Sequence, residues 1–586
     1  MALVKTVKTV KTVKTVKTFN TVDTSGRCYV SASVTNTGDD RFYRWLAVTV
    51  RRRPGTSAVL TQRCFDIEKC GVAICLSRQQ IVSVRVTITN RFKDLILSIV
   101  STRLGRIRGF EEDGVTTFLG IRYGTPPVGA RRFMPPQMAE GWQGVFAATD
   151  FPNRAMQDKT LSTLGLPVGG SISEDCLFLN LVTPSVRGES RPVLVWFHGG
   201  GFVAGSANEY DGSVLAAQGD VVVVTVNARL GVFGFLDLTY YGDVYAGSSS
   251  NGLRDLMLAL RWIKENIEDY GGDPNNITVF GESSGGSSIL SLLAAPEADD
   301  LFHKAIACSA TAVYRPKTDR TKALSERLKC SRDDCLDVLL QMPAHDLLDL
   351  KVGGSICVDG AVVTRPTFQA IEERGSAGVP LLTGTTATEG TLYTKGNPEH
   401  QEHYSWLNKY LATDMLCGSD PAPYLDALRA HYPAASPGKI HEMVWTDMFR
   451  RICTTAAELS SAAGVGGWLY RFDLPANKPG SDHVGVPHAS EMSLTFNTVA
   501  KPTSNAYTFH DVTDPVVQRV GRDWSNIVIN MARSGTPNVG SGEAEGNIPV
   551  LPQYTPTDRH CLVIDEQFLV AKDLDAVHRR LWSAGA

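Results

Sequence analysis

Residues Ile277–Ala295 read ITVFGESSGGSSILSLLAA. The first four are an apolar run of strand type, and Ser287–Ala295 carry an apolar helical pattern. Between them, Gly281-Glu282-Ser283-Ser284-Gly285 sets glycines two before and two after a serine. That spacing permits a tight strand-to-helix bend that lifts a hydroxyl clear of its neighbours. The same residues would also serve an ordinary glycine-rich turn. The nucleophile reading is favoured because the strand and helix flank the match where the bend needs them, and because the match occurs once in the chain.

A serine hydroxyl used as a nucleophile needs a base and a receptor for negative charge. The strand-like run Pro192–Phe197 (PVLVWF) leads directly into His198-Gly199-Gly200-Gly201-Phe202. Successive glycines let main-chain N–H groups approach a substrate oxygen with no side chain in the way, which is what an oxyanion hole requires. Three glycines alone would equally suit a phosphate loop or a hinge. The G-x-x-x-x-G-K-[ST] motif is missing, which weakens the nucleotide reading.

Further out, strands and helices alternate. Asp220–Val226 (DVVVVTV) is another nearly continuous apolar run, as expected of a strand covered on both faces. Gly252–Tyr270 places Leu256, Leu260, Ile263 and Ile267 on one helical stripe and stops at Gly271-Gly272, with Pro274 beyond. Val379–Thr383 and Trp468–Phe472 read as later strands. Alternation of this kind implies an α/β chain with a large, mostly parallel central sheet covered by helices. Residues from about 99 to 127 differ: Gly105, Gly109, Gly114, Gly120 and Gly124 punctuate short apolar runs, a hairpin-rich β start. No linker divides residues 97–586.

Composition excludes several classes. The 586 residues are 43% apolar and 20% charged, with a formal net charge of −3, which is ordinary globular composition. No run of 18 apolar residues occurs, so no membrane-spanning helix is expected. Residues 1–100 hold 17 Lys and Arg against 6 Asp and Glu, whereas residues 101–586 hold 41 against 55. An acidic body of this kind is a poor nucleic-acid binder. Residues 1–96 read as a basic, low-complexity N-terminal extension with little structure, opening on five Val-Lys-Thr triplets (Val4–Thr18) whose period fits neither strand nor helix. The extension has a faint transit-peptide character and no secretory apolar core. Ser83–Asn90 alternates as a strand would.

Taken together, LGIRYGTPPVGARRF (Leu119–Phe133), SEDCLFLNL (Ser173–Leu181), FHGGGF (Phe197–Phe202), NARLGVFGFL (Asn227–Leu236), GGDPNNITVFGESSGG (Gly271–Gly286) and ARSGTPN (Ala532–Asn538) resemble the type-B carboxylesterase/lipase family. That family has the α/β-hydrolase fold and includes the cholinesterases. The resemblance spans nearly all of residues 103–565 and implies a serine esterase acting on small-molecule esters, with no metal or organic cofactor. It implies Ser283 as nucleophile, with an acid in a G-x-x-x-x-E-G loop, here Gly384–Gly390 with Glu389. The base sits in a G-x-x-H-x-x-E loop, here Gly485–Glu491 with His488. The order Ser, Glu, His is that of the fold. Without the resemblance, His483 competes with His488, and Asp482 and Glu491 compete with Glu389. The oxyanion hole is expected from the main-chain N–H groups of Gly200, Gly201 and Ser284; Ser284 stands where the family has Ala. Ser309 is expected to support the triad by a hydrogen bond, and Arg132 with Glu174 to form a structural ion pair. Glu282 reads either as a carboxylate tuning the triad or as a turn residue, with the turn preferred.

Some features depart from the family. Cys176 has no upstream cysteine to match the family's first bridge. Cys330 and Cys335 resemble the second, and their spacing does not decide whether they are joined. The one N-x-[ST] site, Asn276-Ile-Thr278, lies beside the bend. A missing bridge, no secretory signal and scarce sequons point towards the cell interior. Residues 154–175 hold no tryptophan to receive a choline cation, and TLSTLGLPVGG (160–170) suits uncharged esters. Two other readings use the same residues: acyl transfer or thioester cleavage through the same acyl-enzyme, and a non-catalytic adhesion protein on the same fold. Because no triad or oxyanion residue lies in 1–96, deleting that stretch should leave kcat for a p-nitrophenyl ester nearly unchanged; a collapse of activity in soluble truncated protein would count against it.

Overall fold

The computed structural model describes residues 18–22, 28–32, 46–50 and 96–584, except 159–168, 189, 353, 395–400, 502–507 and 539–547. The chain divides into two compact units, residues 1–95 and 96–586. In the first, β1 (Thr18–Val22), β2 (Cys28–Ala32) and β3 (Leu46–Val50) pair antiparallel in that order. These strands fall in the stretch read as having little structure; their Val, Thr, Tyr and Phe content favours extended backbone. The Val-Lys-Thr repeat before Thr18 and the alternating Ser83–Asn90 lie outside the described residues, as does most of 160–170.

The second unit opens with a meander: β4 (Ile96–Thr102), β5 (Gly105–Glu112) and β6 (Val115–Arg122) pair antiparallel. Asp113 and Gly114, the two residues joining β5 to β6, both have positive φ (52° and 80°), the twist-matched hairpin turn that an Asp-Gly pair supplies. β7 (Val145–Ala147) pairs with β5, and β8 (Phe178–Thr183) joins β6 to the rest. Next come β9 (Arg191–Phe197), β10 (Val222–Val226), β11 (Gly272–Glu282), β12 (Lys304–Cys308), β13 (Leu381–Thr386), β14 (Gly467–Phe472), β15 (His560–Ile564) and β16 (Phe568–Lys572). The 13-stranded sheet runs β16-β15-β14-β13-β12-β11-β9-β10-β8-β6-β5-β4, with β7 beside β5. From β10 through β9 and β11 to β15 all neighbours are parallel.

Strand period explains the two cores. In β9, Val193, Val195 and Phe197 enter one buried cluster, and Leu194 and Trp196 enter the other. Both faces are therefore covered, as the unbroken apolar runs require. On the second face Trp196 packs edge-on against Phe280 and Phe496, ring centres 4.8 and 5.0 Å away. On the first lies the helix Asn251–Asn266, followed by one 3-10 turn and closed by Gly271 at φ 82°, where the sequence placed its stop. Among the described residues no helix is long and apolar enough to cross a membrane.

The loop after β10 is pinned by a buried ion pair. Arg229 Nε and Nη2 donate to Asp255 Oδ2 and Oδ1 at 2.8 and 2.7 Å, and the Arg229 main-chain N–H adds a third bond at 2.9 Å. Arg132 and Glu174 form the expected second pair, at 2.6 and 2.9 Å. Cys176, Cys330 and Cys335 are free thiols. Asp255→Ala would leave the Arg229 guanidinium buried without its counter-charge, and should lower stability by about 3–5 kcal/mol. Urea denaturation checks this, a loss below about 1 kcal/mol meaning that the pair is dispensable.

Candidate active site

β11 runs through Glu282 and ends at once in Ser283, whose φ of 55° and ψ of −120° lie in a sparsely populated region for a side-chain-bearing residue. The helix Ser284–Ala294 starts immediately after it. The bend is held from both sides: Ser283 N–H donates to Cys308 O at 2.9 Å, and Ser287 N–H donates to Ser283 O at 2.9 Å. Gly285 makes the bend possible, since a Cβ there would lie 1.9 Å from the Phe197 carbonyl oxygen. The result places Ser283 at the C-terminal edge of the parallel strands, where open α/β sheets bind their ligands.

There a cavity of about 930 Å³ opens, lined by Gly200, Gly201, Ser283, Ser284, Glu282 and His488 among others. The glycine loop after β9 turns through φ values of 109° and 62° at Gly200 and Gly201. It is anchored by Val203 and Ala204 N–H groups on Gly200 O (3.1 and 3.0 Å) and by Gly231 N–H on Phe202 O (2.7 Å). Among the described residues, the N–H groups of Gly200, Gly201 and Ser284 donate to no carbonyl or side chain, so they remain available to a ligand oxygen.

Glu389 and His488 meet. His488 Nδ1 lies 2.5 Å from Glu389 Oε2. The other Glu389 oxygen accepts from Ser309 Oγ at 2.6 Å and from Thr386 N–H at 2.7 Å. Glu389 is fully buried and His488 nearly so. With both oxygens engaged, the carboxylate can turn only by breaking a bond, so the imidazole is oriented through it. The Phe449 ring lies face-on against the imidazole, centres 4.7 Å apart at 20°.

The second nitrogen of His488 holds a finding that the sequence reading had the wrong way round. Glu282 is no plain turn residue: it is 4% exposed, and its Oε1 stands 2.9 Å from His488 Nε2, a charge contact and not an aligned hydrogen bond. Ser283 Oγ makes no hydrogen bond among the described residues. Burial disfavours the charged imidazolium, but the Tyr393 hydroxyl and the Glu282 and Glu389 carboxylates outweigh it, holding His488 well above the ordinary imidazole value. Glu491, also fully buried, is pushed up to about 8 by burial and by Glu389 and Glu282, so it keeps its proton at neutral pH. His483 lies exposed on the surface.

Sequence reasoning missed Phe449, Trp445 and Tyr393. Tyr393 stacks on Trp445 at 3.9 Å and 12°, with its ring centre 5.7 Å from that of His488. Tyr393 is four residues past Glu389, and Trp445 and Phe449 are four apart on the helix Pro437–Ala462. In sequence that spacing signals only a packed helix face.

The chain is similar to known proteins over most of its length. The model of the Carboxylesterase family matches residues 97–582. Para-nitrobenzyl esterase of Bacillus subtilis (strain 168) is 35% identical over 499 residues, covering 82% of this chain and 98% of that protein. A medium-chain fatty acyl-CoA hydrolase precursor of Anas platyrhynchos is 31% identical over 536 residues, covering 82% and 91%. The crystal structure of a Geobacillus stearothermophilus carboxylesterase superposes with a TM-score of 0.71 at 32% identity, covering 83% of this chain and 99% of that one. A doubly covered sheet that brings a bent serine, a glycine loop and an imidazole to one cavity thus coincides with a match along the whole larger unit: the chain is an α/β-hydrolase-fold enzyme and belongs to the carboxylesterase family.

Proposed function

We propose that the chain hydrolyses uncharged small-molecule carboxylic esters through Ser283, His488 and Glu389. The observation that carries this reading is the buried Glu389–His488 pair, whose imidazole lines the same cavity as the bent Ser283 and the unengaged main-chain N–H groups. His488 takes the Ser283 proton as the oxygen attacks the ester carbonyl, and Glu389 fixes the Nδ1–H tautomer and offsets the imidazolium charge. The tetrahedral oxyanion is received by the N–H groups of Gly200, Gly201 and Ser284; each such donor is worth about 2.7–4 kcal/mol of barrier. His488 gives its proton to the leaving alcohol, and water then resolves the acyl-enzyme with His488 again as base. For this, Nε2 turns from Glu282 to Ser283, a tightening that commonly awaits substrate.

The cavity walls support an uncharged substrate. Phe202, Phe235, Leu392, Met448 and Phe449 line it, and its Arg315 and Asp414 are paired with each other at 2.5 Å. The name of the Bacillus relative makes a para-nitrobenzyl ester a natural probe, and that of the Anas relative makes an acyl thioester the second one to try. A non-catalytic role is disfavoured because all three triad positions are filled.

Ser283→Ala should cut turnover of a p-nitrophenyl ester by at least about 10³-fold and abolish labelling by a fluorophosphonate, with the circular dichroism spectrum unchanged. Comparable turnover in both proteins would place the nucleophile elsewhere. The imidazole acts as a neutral base, so its raised pKa sets an acid limb in kcat/KM that lies above the ordinary imidazole range, with activity rising as pH rises through it. Glu282→Gln removes a carboxylate that stabilises the imidazolium and should move that limb to lower pH; a limb that stays in place or moves up would contradict the electrostatic account of His488.

A further inference from the structure

The helix Pro437–Ala462 runs against the loop that carries Glu389, and its contacts fall one turn apart. Thr446 Oγ1 accepts from Gly390 N–H at 3.2 Å. Phe449 stacks on His488. Arg450, 6% exposed, gives the loop most of its guanidinium: Nη2 donates to Thr386 O at 2.8 Å and to Ala387 O at 3.0 Å, and Nε to Thr385 Oγ1 at 3.4 Å. The remaining Nη1 donates to Asp575 at 3.2 Å, just before the C-terminal helix Ala576–Ser583. Asp575 also lies 3.6 Å from Arg471 Nη1. Thr386 and Ala387 are thereby clamped at their carbonyls and Thr385 at its hydroxyl, and the Thr386 N–H in the same stretch donates to Glu389 Oε1 at 2.7 Å.

A planar guanidinium with its donors in a fixed fork imposes direction on the groups it binds, which a lysine ammonium does not. A buried ion pair, by contrast, is weak evidence of stabilisation, because desolvation offsets much of the attraction. Three donors directed at the loop of the proposed acid, with the fourth held by Asp575, suit alignment more than stability. Resting on the triad reading above, we propose that Arg450 is a positioning residue. It fixes the peptides at 385–387 so that Thr386 N–H and Ser309 hold the Glu389 carboxylate on His488 Nδ1, and Asp575 fixes Arg450 in turn. Through Asp575, the segment leading into the C-terminal helix takes part in aligning the acid. Glu282, Glu389, Glu491 and Tyr393 are the titratable groups around His488, and all four side chains are retained when Arg450 is substituted.

Arg450→Gln, Arg450→Lys and Asp575→Asn are compared with the parent enzyme, each normalised to the sites titrated by a fluorophosphonate. A loosened acid should lower kcat per titrated site by about 10- to 100-fold in Arg450→Gln, with KM within about twofold. The acid limb of kcat/KM should move to lower pH, because the imidazolium loses its aligned partner. Arg450→Lys should recover kcat only in part, and Asp575→Asn should show the same changes more weakly. Arg132→Gln, at the buried pair with Glu174, serves as control: it should lower the thermal midpoint with kcat per titrated site and the acid limb unmoved. If Arg450→Gln behaves like that control, the proposal is overturned. If Arg450→Gln does not fold, Asp575→Asn decides alone, and parental kcat and pH profile there overturn it. The triad reading fails separately, through turnover that survives Ser283→Ala.

Discussion

The site depends first on a close approach of two backbones. The Phe197 carbonyl at the end of β9 and Gly285 in the first turn of the following helix come so near that no Cβ fits between them. This contact lets the helix start one residue after β11 and forces Ser283 into its positive-φ bend. It also sets the glycine loop, which continues from Phe197, beside the bend, so the expected nucleophile and oxyanion donors are placed by one packing event. Backbone strain of this kind persists only where the surroundings over-determine it. Here the parallel pairing of β11 with β9 and β12, and the Ser283 N–H bond to Cys308 O, supply that determination.

Around the imidazole the organising constraint is charge in a buried space. Three carboxyl groups, Glu282, Glu389 and Glu491, lie near one ring, and each is at most 4% exposed. Like charges packed so closely cannot all remain ionised at low cost. Glu491 answers this by keeping its proton, and His488 by a raised affinity for its own. Ser309 and Thr386 are tied to Glu389 alone, which separates the carboxylate that orients the ring from the one that merely attracts it. The two ring nitrogens are thus inequivalent before any substrate arrives.

Much of the architecture was legible because local signals agreed with the tertiary outcome. Unbroken apolar runs marked β9 and β10 as covered on both faces, the glycines from Gly105 to Gly124 marked a hairpin-rich start, and Gly271 stopped a helix. Glu282 was misread because its motif draws attention to the turn. Strand alternation, extended two residues past Phe280, would have put it on the same buried face as Phe280, since β11 continues through it. The pairing of Glu389 with His488 rested wholly on family resemblance: nothing local in G-T-T-A-T-E-G tells a reader that its carboxylate meets a histidine 99 residues on. Thr446, Phe449 and Arg450 were illegible for the same reason, because their partners lie 56 to 65 residues upstream or 39 and 125 residues downstream, and helical spacing alone reads as ordinary packing.

The resting geometry also limits how the site can work. Nδ1 is held by a carboxylate whose other oxygen is doubly engaged, and Phe449 lies nearly parallel to the ring, so tilting the imidazole out of its plane would break the stack. A movement of Nε2 from Glu282 towards Ser283 is therefore cheapest as a small in-plane swing about the Glu389 contact. Glu282 and Ser283 are adjacent in the chain, one ending the strand and the other forming the bend. Under the proposed mechanism a negative oxygen at either position attracts the protonated ring, so the Glu282 carboxylate, 2.9 Å from Nε2, would both hold the imidazolium away from the serine and delay its return. On the proposed roles, the balance between those effects depends on how firmly Glu389 is aligned, and the contacts that the helix Pro437–Ala462 makes with residues 385–390 bear on that alignment.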